Sequence, residues 1–245
     1  MLKLIKRLMG YDGSMEFVVL NDEDVVNNYQ HGFVVDYYRK NIEGRSVLDA
    51  GCWTGPLEKT ISGKGIETNL VGIDENRDAL SVARKNFPEY HFAQCQLLNK
   101  NEEFIEKYKN FFDTIIFLDV VEHIPRGREI EVLQFFNKLL KPGGSLILST
   151  MSSHFLNFID PAWFFGHRHY TQKKIEGIIG RAGFAIEDNL KNGNLFWDLD
   201  LLFFYIYKHI FKKKYKTSEK MYKRILKGIR ANKNSTRFYI KAKNR

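Results

Sequence analysis

Short, almost continuous apolar runs recur along the chain at 47–50, 69–74, 90–94, 112–119 and 145–150, bounded by glycine, proline or charged residues. Runs of this length read as strands buried on both faces, as in parallel sheets covered by helices. Between the last two, residues 128–140 carry apolar positions at helical spacing and are stopped by Pro142, Gly143 and Gly144. Thr171 suits a helix N-cap, Ile175, Ile178 and Ile179 form a buried stripe behind it, and Gly183 ends the element before a strand at 184–188. A final strand is expected at 236–243 and a helical segment at 23–43. Strands alternating with helices predict a doubly wound α/β sheet.

Within that sheet the candidate ligand site is the junction Val47-Leu48-Asp49-Ala50-Gly51-Cys52-Trp53-Thr54-Gly55-Pro56, where a strand runs through a glycine-punctuated turn into a helix. A dinucleotide fingerprint requires G-x-G-x-x-G, and its second and third glycine positions hold Trp53 and Pro56. A P-loop is excluded because no Gly-Lys-Ser/Thr follows the turn. The ligand expected is a nucleoside without a phosphate chain. Asp74 ends the next strand about twenty residues on, where such folds bind a ribose diol.

Asp49, Gly51 and Gly55 match the first motif of class I S-adenosylmethionine-dependent methyltransferases, an acidic residue followed by Gly-x-Gly-x-Gly, and Trp53 departs from it. Gln96 stands where that family usually carries an Asp for the adenine amino group, and its amide oxygen can accept the same hydrogen bond. The strand at 112–119, running into Val120-Val121-Glu122-His123-Ile124-Pro125, resembles the family's fourth motif as found in small-molecule methyltransferases of the ubiquinone-biosynthesis type. The string from His169-Tyr170-Thr171 to Ala182-Gly183-Phe184 resembles a helix of the same group. The resemblance covers residues 25–190 and the last strand. It implies a Rossmann-like seven-stranded sheet, mostly parallel with the last strand antiparallel, and S-adenosylmethionine as cofactor. It also implies that Asp49, Ala50, Gly51, Cys52 and Gly55 position the methionine part, Asp74 and Glu75 the ribose, Gln96 and Leu97 the adenine edge, and Asp119 with Val120 the loop beside the sulfonium.

The 245 residues suffice for one well-buried α/β domain with an appendage. They divide into an N-terminal helical cap (1–45), the cofactor-binding domain (46–190), a basic, aromatic helical insertion (191–235) and the last strand of the sheet (236–245). Charge separates these parts. Residues 191–245 carry 16 Lys/Arg against 3 Asp/Glu and the remainder 22 against 26, so the net charge of +9 resides in the C-terminal region. A uniformly basic surface would favour nucleic acid, whereas this split gives the appendage its own partner or docking role.

The first half of the insertion, 195–207, is strongly apolar, but Asp198 and Asp200 interrupt it and Lys208 closes it. A bilayer-spanning helix needs about 20 largely uncharged residues, so spanning is not expected. The second half sets Met221, Tyr222, Ile225, Leu226 and Ile229 on one face and Lys220, Lys223, Arg224, Lys227 and Arg230 on the other. Two readings stay open, a lid over the pocket and an element on an anionic membrane surface. The two cysteines, Cys52 and Cys95, do not resemble a secreted disulfide framework, and the N-terminal segment lacks a signal-peptide pattern. A cytoplasmic location is expected, peripheral at the inner membrane face if the appendage binds lipid.

Methyl transfer from a sulfonium is an in-line displacement that depends on positioning, and it needs a base only when the acceptor must lose a proton. His154, just past the fifth strand, is the leading base candidate, with His123 and His169 as the others; anchoring its loop is the alternative role for His123. His167 and His169 form an H-x-H pair, but without neighbouring cysteine or a second close histidine pair they are read as positioning an acceptor or capping a helix, and no metal is expected. The aromatic segment 151–170 begins at the carboxyl edge of the sheet and is read as a wall of the acceptor pocket. Asp160-Pro161-Ala162-Trp163 looks like the Asp-Pro-Pro-aromatic motif of amino-group methyltransferases, yet it follows the fifth strand rather than the fourth. The function expected is methyl transfer to a small or lipid-linked acceptor, a quinone precursor or a glycan intermediate. The alternatives are an RNA methyltransferase gripping phosphate through its basic tail and a non-catalytic cofactor-binding scaffold.

Overall fold

The computed structural model describes residues 44–99, 102–153, 167–213, 215–231 and 236–245. The helical segment expected at 23–43 lies outside these residues, as do His154 and most of the 151–170 segment. Strands β1 (Ser46–Ala50), β2 (Asn69–Asp74), β3 (His91–Gln94), β4 (Phe112–Leu118), β5 (Leu140–Met151), β6 (Phe184–Asn192) and β7 (Arg237–Asn244) form one sheet in the order β3-β2-β1-β4-β5-β7-β6. The ladders from β3 across to β5 are parallel, and β7 runs antiparallel to both β5 and β6. This is the Rossmann-like seven-stranded sheet that the motifs imply. Helices α1 (Pro56–Gly63), α2 (Arg77–Asn86), α3 (Glu102–Tyr108), α4 (Glu129–Leu139) and α5 (Gln172–Arg181) lie between successive strands, while α6 (Leu195–His209) and α7 (Glu219–Ala231) fill the connection from β6 to β7.

Successive side chains of a strand point to opposite faces, and both faces here are covered. Ile115 and Phe117 of β4 join one apolar layer and Ile116 the other; β5 repeats this with Leu146 and Leu148 against Ile147, and β1 with Leu48 against Val47. Val132, Leu133 and Phe136 of α4 and Ile175 and Ile179 of α5 fill the first layer, while Leu57 and Ile61 of α1 fill the second. Burial on both sides is why these strands read as unbroken apolar runs.

Two strands run longer than the pattern predicts. β5 begins at Leu140, not at residue 145, because Leu140 pairs with Phe112 and the register then shifts before Ser145 meets Thr114. The Pro142-Gly143-Gly144 stretch is therefore a bulge inside the strand rather than a break before it. β6 continues to Asn192, pairing with β7 through a register shift between Ile186 and Asp188.

Strand order reverses between β1 and β4: β2 and β3 step outward one way, and β5 onward the other. In open α/β sheets the crevice beyond the strand carboxyl ends at such a reversal is where ligands bind.

Candidate functional site

At that crevice β1 runs out through Asp49 and Ala50 into Gly51, whose φ is +86°. A Cβ on residue 51 would lie 2.4 Å from Val120 Cγ2, so only glycine lets the β1 turn touch the β4 loop across the crevice. The N–H groups of Gly51 and Cys52 both donate to Ile73 O, at 2.7 and 3.0 Å, which ties the turn to β2. Trp53 departs from the glycine motif in side chain but not in backbone. Its φ is +49°, in the left-handed region that glycine adopts freely, and its N–H donates to Asp74 Oδ2 at 3.0 Å. Gly55 then caps α1, with Pro56 opening the helix.

Three carboxyls, Asp49, Glu58 and Asp74, surround this turn, and among the described residues none of them pairs with a cation. Burial pushes the Asp49 carboxyl well above the usual range, and the charges of Glu58 and Asp74 add to the shift. Burial pushes Glu58 up to about 8, against an opposing backbone hydrogen bond. Apart from the residue's own backbone N–H, neither buried Glu58 carboxylate oxygen has a hydrogen-bond partner among the described residues. Burial also raises Asp74, against the stabilising N–H groups of Asn76, Trp53 and Glu75. A positively charged ligand favours ionisation of such a cluster, and a phosphate chain opposes it. A sulfonium nucleoside that also carries an α-ammonium fits this site, and a pyrophosphate does not.

Asp74, the expected ribose ligand, is held rigidly: Oδ2 takes the Trp53 N–H and Oδ1 takes the Asn76 N–H at 2.9 Å. Each oxygen keeps a further lone pair for a hydroxyl. Asn76 in turn caps α2 through the N–H of Ala79. The Glu75 carbonyl accepts from Gln94 Nε2 at 2.9 Å, which fixes the end of β2 against β3. Gln96 is exposed and accepts a hydrogen bond from Asn99 Nδ2, while Leu97 packs partly buried against the main core. Cys52 and Cys95 are buried and form no disulfide with each other, and burial pushes the Cys95 thiol up to about 12 and the Cys52 thiol well above its usual value.

On the other side of the crevice Asp119 has φ +52°, and its N–H donates to Ser149 O at 3.2 Å and Ser149 Oγ at 3.1 Å. Its carboxylate accepts from Ser149 Oγ at 2.8 Å and from Arg237 Nη1 at 2.7 Å. The loop then turns through a 2.9 Å bond from His123 N–H to Val120 O. His123 Nε2 lies 2.9 Å from His167 Nε2, so one ring nitrogen donates and the other accepts. Buried Glu122 accepts from Thr150 Oγ1 at 3.0 Å. Burial pushes its carboxyl up to about 8, with the Asp119 charge adding and His167 opposing.

His167 reaches this loop because its neighbours are anchored beneath it. Arg168 Nη2 donates to Val121 O at 2.8 Å and lies 3.4 Å from Glu129 Oε1, and the Tyr170 hydroxyl donates to the same Val121 carbonyl at 3.1 Å. The histidine brought to His123 is thus His167; His169 is half-buried on the same segment, and His154 lies outside the described residues. Among the described residues no group of three or more His, Cys, Asp or Glu could hold a metal ion.

The sequence reading missed Glu58, Glu122 and Arg237. Glu58 left a signal, being an acid beside Leu57 and three residues before Ile61 on the apolar side of α1. Arg237 left none, because it opens a strand as many surface arginines do.

Residues 27–189 match the family described as the methyltransferase domain, well over half of the chain. The chain is 31% identical over 127 residues to the mitochondrial ubiquinone biosynthesis O-methyltransferase of Dictyostelium discoideum, covering 48% of this chain and 39% of that protein. It is 30% identical over 142 residues to the ubiquinone biosynthesis O-methyltransferase of Pseudomonas aeruginosa (strain UCBPP-PA14), covering 58% and 57%. The chain therefore spans about half the length of the curated relatives it matches. Its fold is similar to that of a SAM-dependent methyltransferase from Archaeoglobus fulgidus, with a TM-score of 0.59 at 17% identity over 89% of this chain and 94% of that one.

Proposed function

Because the chain belongs to the methyltransferase-domain family, we propose that it transfers the methyl group of S-adenosylmethionine to a hydroxyl of a small or lipid-linked acceptor, with a quinone precursor favoured over a glycan intermediate. The cofactor supplies a methyl group already activated on a sulfonium. Asp49 and the Gly51–Gly55 backbone receive its cationic methionine part, Asp74 the ribose diol, and Gln96 with Leu97 the adenine edge. Asp119 and Val120 form the opposite wall.

The observation that carries the hydroxyl acceptor is the 2.9 Å contact between His123 and His167 at the end of β4. A hydroxyl must lose its proton as oxygen takes the methyl group, and a histidine pair sharing one hydrogen can accept it. The proton lost by the hydroxyl would then rest on an imidazole of this pair. The names of the curated relatives, both O-methyltransferases, support the same reading. Two cysteines that form no disulfide with each other suit a reducing, cytoplasmic compartment.

Purified protein incubated with methyl-labelled S-adenosylmethionine and a fractionated cell extract tests the proposal. Label is expected in the phenolic and quinone-lipid fraction. Label in RNA would replace this acceptor with a nucleic acid, and binding without transfer to any fraction would leave a scaffold. Absence of S-adenosylmethionine binding would overturn the proposal outright.

A further inference from the structure

Helix α6 buries Trp197 together with two acids, Asp198 and Asp200, and leaves Phe196, Phe203 and Tyr207 exposed. Asn194 caps it, accepting from the N–H groups of Phe196 at 2.9 Å and Trp197 at 3.2 Å, while its Nδ2 donates to Ile225 O of α7 at 2.8 Å. Asp198 and Asp200, two of the three acids between 191 and 245, are buried. Asp198 accepts from Thr236 Oγ1 at 3.3 Å, and Asp200 accepts from the Tyr215 hydroxyl at 2.6 Å and Thr217 Oγ1 at 2.7 Å. These bonds fix the rotation of the helix, since turning it would strip partners from two buried carboxylates.

With that rotation Phe196, Phe203, Tyr207 and Ile210, spaced seven, four and three residues apart, fall on one exposed stripe that Phe211 continues. Ile210 is 60% exposed and Phe211 55%. Immediately beyond them stand exposed Lys212, Lys213 and Lys216, followed by Lys220, Lys223, Arg224 and Lys227 of α7. The Arg224 guanidinium sits 5.2 Å from the centre of the Phe196 ring, so charge and stripe share one surface. Glu219, the third acid, is already bridged to Lys223 at 2.6 Å.

We infer that this face docks on an anionic lipid surface, with α6 lying in the plane of the interface, its stripe among the acyl chains and the lysines against the lipid phosphates. An aliphatic side chain as prominent as Ile210 cannot stack on a base, which argues against RNA as the occupant. No described helix is long and apolar enough to cross a membrane, so the element lies on the bilayer. The inference goes beyond methyl transfer and does not depend on it.

Flotation of the full chain with phosphatidylglycerol-containing vesicles, and with pure phosphatidylcholine vesicles, tests the inference without any assay of activity. Binding is expected to the anionic vesicles, weakening as salt rises. Replacing Lys212 and Lys213 with alanine should weaken it about thirty-fold, taking each cation near the surface at its usual worth. Phe203→Asp with Phe211→Asp should abolish it, with the far-UV spectrum and S-adenosylmethionine binding unchanged. Equal binding to neutral vesicles, no binding to anionic ones, or binding indifferent to either pair of substitutions would overturn the inference. So would a stable dimer that the Phe203 and Phe211 variant dissolves, or an RNA oligonucleotide that displaces the vesicles from the same lysines.

Discussion

Arg237 Nη1 stands 2.7 Å from Asp119 Oδ2, an ion pair that joins the first residue of the last strand to the loop at the end of β4. Arg237 is buried, and the Trp197 ring of α6 lies 4.7 Å from its guanidinium. Burial works against its charge, but Asp119, with lesser help from Tyr239, Asp198 and Glu122, holds it firmly protonated. Arg237→Met leaves Asp119 without its countercharge at the ligand crevice. The expected loss is about 3 kcal/mol, at the lower end for a broken buried pair because Asp119 keeps some solvent contact. Urea denaturation measures it, and a variant as stable as the parent would show that the pair does not hold the loop.

Gly51→Ala places a methyl group 2.4 Å from Val120 Cγ2 and asks an L-residue to keep a φ of +86°. A loss of about 1–3 kcal/mol is expected, together with weaker S-adenosylmethionine binding by calorimetry. Adding Val120→Ala relieves the clash but not the backbone strain, so the double variant should recover only part of the loss. Full recovery would mean that the conformation carries no cost.

Glu58 and Glu122 both rise from 4.5 to about 8 on folding. An acid whose pKa is raised in the folded chain binds its proton more tightly there than in the unfolded chain. Its contribution is therefore complete below about pH 4.5 and is lost as pH rises through about 8. Glu58→Gln removes one of these two titrations. The melting temperature of the variant should fall less than that of the parent between about pH 5.5 and pH 8.5, and an equal fall would assign the pH dependence to other groups.

His123→Ala and His167→Ala should each lower kcat/KM by about 10²–10⁴-fold while leaving cofactor affinity intact. Because the two rings share one hydrogen, the double variant should be little worse than either single one. Fully additive losses would show that they act separately, and an unchanged rate would send the acceptor proton elsewhere.

Much of the sheet was legible because burial on both faces writes itself into each strand as an apolar run. The start of β5 was not, since Pro142, Gly143 and Gly144 carry the same composition whether they stop a chain or bulge within a ladder. Trp53 shows the limit of a motif: the turn requires a backbone conformation, which Trp53 supplies at a φ of +49°, and side-chain identity records it only indirectly. Asp198 and Asp200 read as polar interruptions of an apolar helix, yet both are buried, because their partners Thr236, Tyr215 and Thr217 return from farther along the chain. The meeting of His123 with His167 was hidden for the same reason, being made by residues from two different segments.

Asn192 and Arg237 are partners across the β6–β7 ladder, so the chain leaves the sheet and re-enters it at neighbouring points. Everything between them hangs from what would otherwise be a hairpin turn. Loop-closure entropy grows only slowly with length, so that position tolerates a long insert or a short one without changing strand register. The two helices α6 and α7 can therefore be carried on this edge of the sheet without disturbing the strands that shape the ligand crevice.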